Sequence, residues 1–498
     1  MITSTWNNNY FKYTFWSLII ADIFFFYTHT FPKFETVFFI ITCLALFYLM
    51  LKKSSFIVYI PLLELFVGSQ GHLMDLNING FILSFRLAIF LMAFLAGIIY
   101  LFKKRKCDFL KSSYLVPTFI YLAMLVLGIT TALLKNRGLV DIFFDLNGYL
   151  FIFILPIFYQ IVKDQKILKN LFYIFLAGAL FFSIKTILSF YIFSHHFPGV
   201  NLTILYEWLR DSRIGEITIV TPSFFRIFFQ SQIYILISFI ITFCLLSFKK
   251  HVVDLKDKKL LLALNIINLT ALLISLSRSY WVGLAMFLLV LFVWLIIKKY
   301  KFRNIIKVYL KFIGVAALSI LFIFLLVKLP YTDADLGLFA QRLTTGEAAS
   351  NSRLELLPHM VDKIKTQPLL GNGLAQEITY ISHDPRNRNE KNPDGTVTTY
   401  SFEWGWLSIW MKFGILGLLT YLYLILKILI DSVKLAINKW PQSEAILIMS
   451  LTLCLITVST IHFFSPYLDH PLGLGFMVIS VAILDKVKRQ KKITNDHI

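Results

Sequence analysis

Four arginines stand where a charged side chain needs a reason. Arg86 lies inside a long apolar stretch, Arg226 and Arg278 lie at the ends of others, and Arg353 comes directly after Ser352 in the longest polar interval of the chain. Arginine stays charged at any relevant pH, and its planar fork grips two phosphate oxygens at once. A set of arginines bordering apolar segments therefore suits a diphosphate at a membrane surface. Near them in the sequence are scattered carboxylates and histidines able to move a proton. Ionisable side chains at membrane depth normally face the protein interior or a wet cavity, which makes each a functional candidate. Asp22 and Lys185 are explained as well by pairing or by snorkelling to the interface.

The elements that must position these groups are set by composition. Hydrophobic residues are 58% of the 498 and charged residues 15%, with a mean hydropathy of +0.73, a balance that no water-soluble core and surface of this size accommodates. An all-α polytopic membrane protein is expected. Windows of roughly 17–25 apolar residues give about fourteen spans, with twelve possible. They centre on residues 13–28, 35–51, 55–70, 82–102, 112–134, 144–162, 169–194, 227–248, 259–276, 279–297, 305–328, 411–431, 443–464 and 468–485.

The net charge of +20 falls in short clusters between these windows, not along one polar face, so the positive-inside rule accounts for it and a nucleic-acid partner is not expected. The clusters at 52–53, 103–106, 163–169, 249–259, 298–307, 434–439 and 486–492 alternate onto one side, the cytoplasm, which puts both termini inside and residues 330–402 outside. The four cysteines sit in apolar segments or, for Cys107, in a basic connector, so neither a disulfide framework nor a cysteine metal site is expected. The first apolar run lacks a small-residue cleavage site and reads as a retained anchor.

The resulting division is residues 1–329, with the earlier spans and a smaller outer loop at about 195–226; 330–402, the large outer loop; 403–485, the last spans; and 486–498, a cytoplasmic tail. In the large loop, Ser352 and Glu355 have capping-box spacing. Leu354, Leu357, Val361 and Ile364 recur at helical spacing, predicting a helix over 353–366 with its apolar face on the membrane domain. Pro368, Gly371 and Gly373 end it. Arg353 in a first turn opposes the helix dipole, so it is expected to have another partner. The 387–395 segment is turn-rich and expected to be mobile.

Nucleotide-binding loops and a His-Glu-x-x-His motif are missing, and no dense carboxylate cluster suggests a catalytic metal. The turn Ser275-Leu276-Ser277-Arg278-Ser279-Tyr280-Trp281, however, resembles the Ser-x-Ser-Arg-x-x-Trp signature of the O-antigen ligase and polymerase family. The order of three later motifs is similar too: Ser352-Arg353 on the first helix of a large outer loop, a Pro-Leu-x-Gly-x-Gly turn at 368–373, and Gly-Ile-Leu-Gly at 414–417 entering the next span. The resemblance covers about residues 260–430.

It implies an all-helical, GT-C-like glycosyltransferase of the bacterial inner membrane, working without a metal or other cofactor and distantly akin to the peptidoglycan polymerases. Its donor would be a glycan on undecaprenyl diphosphate and its acceptor another lipid-linked repeat unit. A base deprotonates an acceptor hydroxyl, the oxygen attacks the anomeric carbon with inversion, and lipid diphosphate leaves. By motif, Arg278 and Arg353 inherit the family arginines on the diphosphate, with Arg86 and Arg226 as further candidates. Ligases of the family carry His-Asn eleven residues before the Gly-x-x-Gly entry, and counting back from Gly414 reaches Glu403-Trp404 instead. Polymerase is therefore the expected branch, with Glu403 as base and His383 as second choice. The ligase that moves glycan to lipid A core or protein is the runner-up, and a chain-length regulator is a possible partner. A flippase for lipid-linked oligosaccharide is the competing class, but no internal repeat supports it, and the polar residues gather at one face.

Overall fold

The structure is a computed structural model that describes residues 8–197, 199–221, 224–248, 255–329, 348–384, 393–439 and 443–496. In chain order its elements are α1 (Asn9–Thr30), α2 (Pro32–Lys52), α3 (Phe56–Val67), β1 (Asp75–Ile78), β2 (Phe81–Ser84), α4 (Phe85–Lys104), α5 (Leu115–Leu134), α6 (Leu139–Asn147) and α7 (Leu155–Ile161). Then come α8 (Gln165–Ser194), α9 (Leu202–Asp211), β3 (Gly215–Thr221), β4 (Phe224–Phe229), α10 (Gln232–Phe248), α11 (Leu255–Ile274), α12 (Arg278–Ile297) and α13 (Phe302–Lys328). The chain continues through α14 (Ala348–Thr366), β5 (Ile378–Ile381), β6 (Thr396–Thr399), α15 (Gly405–Lys439), α16 (Ser443–Ile461) and α17 (Pro471–Asp496). Strands among the described residues form only two-stranded antiparallel hairpins, β1–β2, β3–β4 and β5–β6.

In lipid every backbone N–H and C=O must be satisfied within its own segment, and helices do this without a partner. Among the described residues, eight helices are long and apolar enough to cross a membrane, or up to nine if Leu139–Asn147 and Tyr149–Ile161 count as one broken span. The protein is thus all-α and polytopic. Three of the apolar windows do not fold as unbroken full-length helices. Those at 55–70 and 227–248 become α3 and α10, of 12 and 17 residues, and that at 144–162 is interrupted at Gly148.

The chain divides into two units. The first comprises residues 1–107, 154–336 and 434–454. Its centre is α8, buried on almost every side, as expected of a helix that is apolar all round. Polar side chains link it to its neighbours: Ser183 Oγ donates to Asn268 Oδ1 of α11 at 2.9 Å, and Asn268 Nδ2 donates to Ser238 Oγ of α10 at 3.1 Å. Lys185, also on α8, is paired as its depth requires. Its Nζ lies 2.5 Å from Asp22 Oδ1 of α1 and 4.3 Å from the Trp208 ring centre.

The second unit comprises residues 108–153, 337–433 and 455–498. Here α14 starts at Ala348, ahead of the expected boundary, which overturns the capping-box reading of Ser352 and Glu355. The Ser352 hydroxyl instead lies 2.9 Å from both Tyr380 Oη and Ser382 Oγ, while Glu355 reaches His383. The buried face of α14 is Ser352, Leu356, Met360 and Ile364, one turn apart, whereas Leu354 is 58% exposed. That face packs on Ile378 and Tyr380 of β5 and on Phe402 and Met411, so α14 is covered by its own hairpin and by the start of α15. Of the turn-rich 387–395 segment, residues 387–392 lie outside the described residues.

Candidate functional site

In the second unit, the turn after α14 and the break in α15 explain each other. Gly371, Gly373 and Gly414 have φ of 78°, 84° and 70°, values that favour glycine. A Cβ on Gly371 would strike the main chain of Lys412 and Gly414, and one on Gly414 would strike that of Leu369. The close approach allows main-chain pairing: Asn372 and Gly373 N–H donate to the carbonyls of Met411 and Lys412 at 2.7 and 2.8 Å, and Ile415 N–H donates to Pro368 O at 2.8 Å. These bonds accept the groups freed where α15 breaks. The two glycine motifs noted in the sequence are thus halves of one joint. On the side of α5, Leu374 N–H donates to Gly128 O at 3.1 Å, and Arg137 donates to Gly373 O at 3.0 Å, to Leu374 O and to Gln376.

Arg353 of α14 pairs with Glu403, the residue two before α15, and the two side chains are 38% and 50% exposed. Glu403 is therefore the partner that the position of Arg353 called for. Since α14 begins at Ala348, Arg353 lies beyond the first turn, where the helix dipole hardly opposes it. Trp404 closes the arrangement from behind, its indole N–H donating to the Arg353 carbonyl at 2.9 Å. His383 stands apart with Glu355: its Nδ1 is 2.8 Å from Glu355 Oε1, and its main-chain N–H donates to Oε2 at 3.1 Å. His462 is packed against Gly405 and Trp406 and is fully buried, with Nδ1 accepting Leu468 N–H at 3.2 Å. Burial pushes its pKa down to about 3, so it remains neutral.

Three further charged residues of this unit escaped the sequence reading because each lay at or inside a window taken as a span. Lys412 Nζ is 2.6 Å from Asp145 Oδ1, both side chains almost fully buried, and Asp145 Oδ2 accepts Ala375 N–H at 2.8 Å. Asp469, in the connection between α16 and α17, is partly accessible at its surface. Burial, opposed by Lys412 and reinforced by Asp145, pushes its carboxyl up to about 7. The only sequence signal was a charge in an apolar window, a sign of function by default.

The remaining candidates belong to the first unit. Arg86, buried at the start of α4, donates from Nε to Glu64 Oε2 at 2.8 Å and from Nη2 to Glu64 Oε1 at 2.9 Å and Ser69 O at 2.6 Å. Its fork is engaged, and holding a phosphate there would mean displacing a carboxylate. Arg226 on β4 donates from Nε to Ser275 O at 3.0 Å, which brings it to the 275–281 turn. Arg278 is the first residue of α12 in that turn and is partly accessible. No group of three or more metal-ligating side chains occurs among the described residues.

Residues 263–422 match the family model Wzy_C, O-antigen ligase. The matched stretch contains Arg278, Arg353, His383, Glu403, Lys412 and both glycine motifs, and leaves out Arg86, Arg226, Asp145 and Asp469. No curated protein matches the chain, and no solved structure does. A Ser-Arg turn opening one apolar helix and an Arg–Glu pair at the start of another thus both fall within the stretch that is similar to the O-antigen ligase family, in a chain with several helices long and apolar enough to cross a membrane.

Proposed function

We propose that the protein is a polysaccharide polymerase of the bacterial inner membrane, joining oligosaccharide units carried on undecaprenyl diphosphate by inverting glycosyl transfer at the outer face. The observation that carries this reading is the accessible Arg353–Glu403 pair. A guanidinium held by a neighbouring carboxylate, on a helix fixed by the glycine joint, suits a leaving diphosphate whose charge grows in the transition state. Arg353 is the proposed diphosphate ligand. Arg278 and Arg226 are candidates of the first unit to be tested separately. The acceptor proton goes to a carboxylate of the second unit, and Glu403 is the one the motif position names.

Complementation of a deletion strain tests the reading. Loss of the gene should leave single repeat units on the surface. Hydrogen bonds to charged groups contribute about 1.5–3 kcal/mol, so Arg353→Ala should lower polymer formation roughly ten- to a hundredfold. Glu403→Gln should weaken transfer by loosening Arg353, and should abolish it outright if that carboxylate is itself the base.

A second reading, transfer of finished glycan to a lipid A core sugar or to protein, is favoured by one observation. His383 is oriented by Glu355 at 2.8 Å, the arrangement of a histidine base and its orienting carboxylate. In that case the deletion strain would retain long chains on carrier lipid, and His383→Ala, not Glu403→Gln, would stop transfer.

A further inference from the structure

We propose that Asp469, within electrostatic reach of the Asp145–Lys412 ion pair, is the group that takes the proton from the acceptor sugar hydroxyl. This rests on the glycosyl-transfer reading above and reassigns its base, leaving Glu403 to hold Arg353.

Placement is the first argument. The 462–470 connection is tied down along its length: Gly405 N–H donates to His462 O at 3.1 Å, Leu468 N–H to His462 Nδ1 at 3.2 Å, Tyr421 Oη to Leu468 O, and Gly473 N–H to Tyr467 O at 3.1 Å. Where α6 ends, Gly148 lies so close to the Asp469 carbonyl that any Cβ would collide with it. Catalytic groups need such rigid mounting. The Lys412 ammonium lies 5.5 Å from the ring centre of Phe402, the residue before Glu403.

Charge balance is the second. Asp145 is committed, one oxygen to Lys412 and the other to Ala375 N–H. Asp469 lies within electrostatic reach of that pair, and the Tyr421 hydroxyl, whose ring packs on that of Tyr121, donates to the Leu468 carbonyl beside it. Among the described residues no cation forms an ion pair with it. Two carboxylates and one ammonium in a largely desolvated space favour taking up one proton, and Asp469 is the carboxylate free to take it. Its pKa of about 7 matches what a base working near neutrality requires. The Tyr121 and Tyr149 hydroxyls, buried and without a hydrogen-bond partner among the described residues, supply donors and acceptors for a hydroxylic ligand.

In the step, the acceptor oxygen forms its bond to the anomeric carbon as the bond to the diphosphate breaks, the electron pair leaving with the lipid diphosphate. The hydroxyl proton passes to the Asp469 carboxylate and then to solvent, restoring the enzyme.

The test compares Asp469→Asn, Asp469→Glu and Arg353→Ala in the deletion strain, and as full-length protein in nanodiscs probed with undecaprenyl diphosphate. General-base catalysis typically contributes 10²–10⁴-fold, so Asp469→Asn should lower polymer formation about a hundredfold or more while binding undecaprenyl diphosphate like the wild type. Asp469→Glu, which restores a carboxylate, should recover roughly a tenth of the activity with a displaced acid limb. A base works ionised, so wild-type activity should fall below pH about 7. Polymer within about tenfold of wild type in Asp469→Asn, or an Asp469→Glu variant no better than Asp469→Asn, would overturn the proposal. Loss of polymer in Arg353→Ala with retention in Asp469→Asn would remove only the role of Asp469. A deletion strain with unchanged surface glycan would remove the glycosyl-transfer reading itself.

Discussion

At the scale of single residues, arginines with the same sequence credentials differ in what surrounds them. Arg86 is neutralised internally by Glu64, whereas Arg353 is accessible and its partner Glu403 is half exposed. A buried pair stabilises little overall, yet removing one member strands the other without solvent. Lys412→Met should therefore cost about 3–5 kcal/mol, as breaking a buried pair does. This would be read as a lowered thermal aggregation midpoint of the detergent-solubilised protein. Adding Asp145→Leu should recover part of the loss, because the orphaned carboxylate goes with it. A double variant as unstable as the sum of the two singles would mean that the charges are not coupled.

At the scale of elements, the joint between the 368–374 turn and the break at Gly414 is the part most exposed to one substitution. A side chain in the left-handed region costs roughly 1–2 kcal/mol, and at Gly414 the added carbon would also meet the Leu369 carbonyl. Gly414→Ala should loosen the turn, seen as faster proteolysis of α14 and the β5–β6 hairpin. Gly314→Ala, within α13 where a Cβ meets nothing within 4 Å, should leave the digestion pattern unchanged. Equal digestion of both variants would show that the joint does not hold the hairpin.

At the scale of the whole molecule, the alternation of basic connectors is the ground for placing residues 330–402 outside. Asp394 is exposed, whereas Ser382 is fully buried, so the useful probe is Asp394→Cys. An impermeant maleimide applied to intact spheroplasts should label that cysteine and leave Cys107 unmodified. Labelling of Cys107 alone would reverse the orientation and with it the proposed side of the reaction.

The amino-acid sequence already carries the membrane class, the helical architecture, the family motifs and a helix ending before Pro368. Each of these is carried by composition or by local spacing, which one segment of chain contains in full. It misjudged which face of that helix is buried, because Leu354 and Val361 look as apolar as Leu356 and Met360, and only packing against Tyr380, Phe402 and Met411 distinguishes them. Packing in three dimensions alone brings Glu403 to Arg353, the glycines at 371 and 414 into one contact, and Lys412 to Asp145. The partners in these contacts lie between 43 and 267 positions apart in the chain, from Gly371 and Gly414 to Asp145 and Lys412. Charge pairing depends on distance in space, and no local pattern records it.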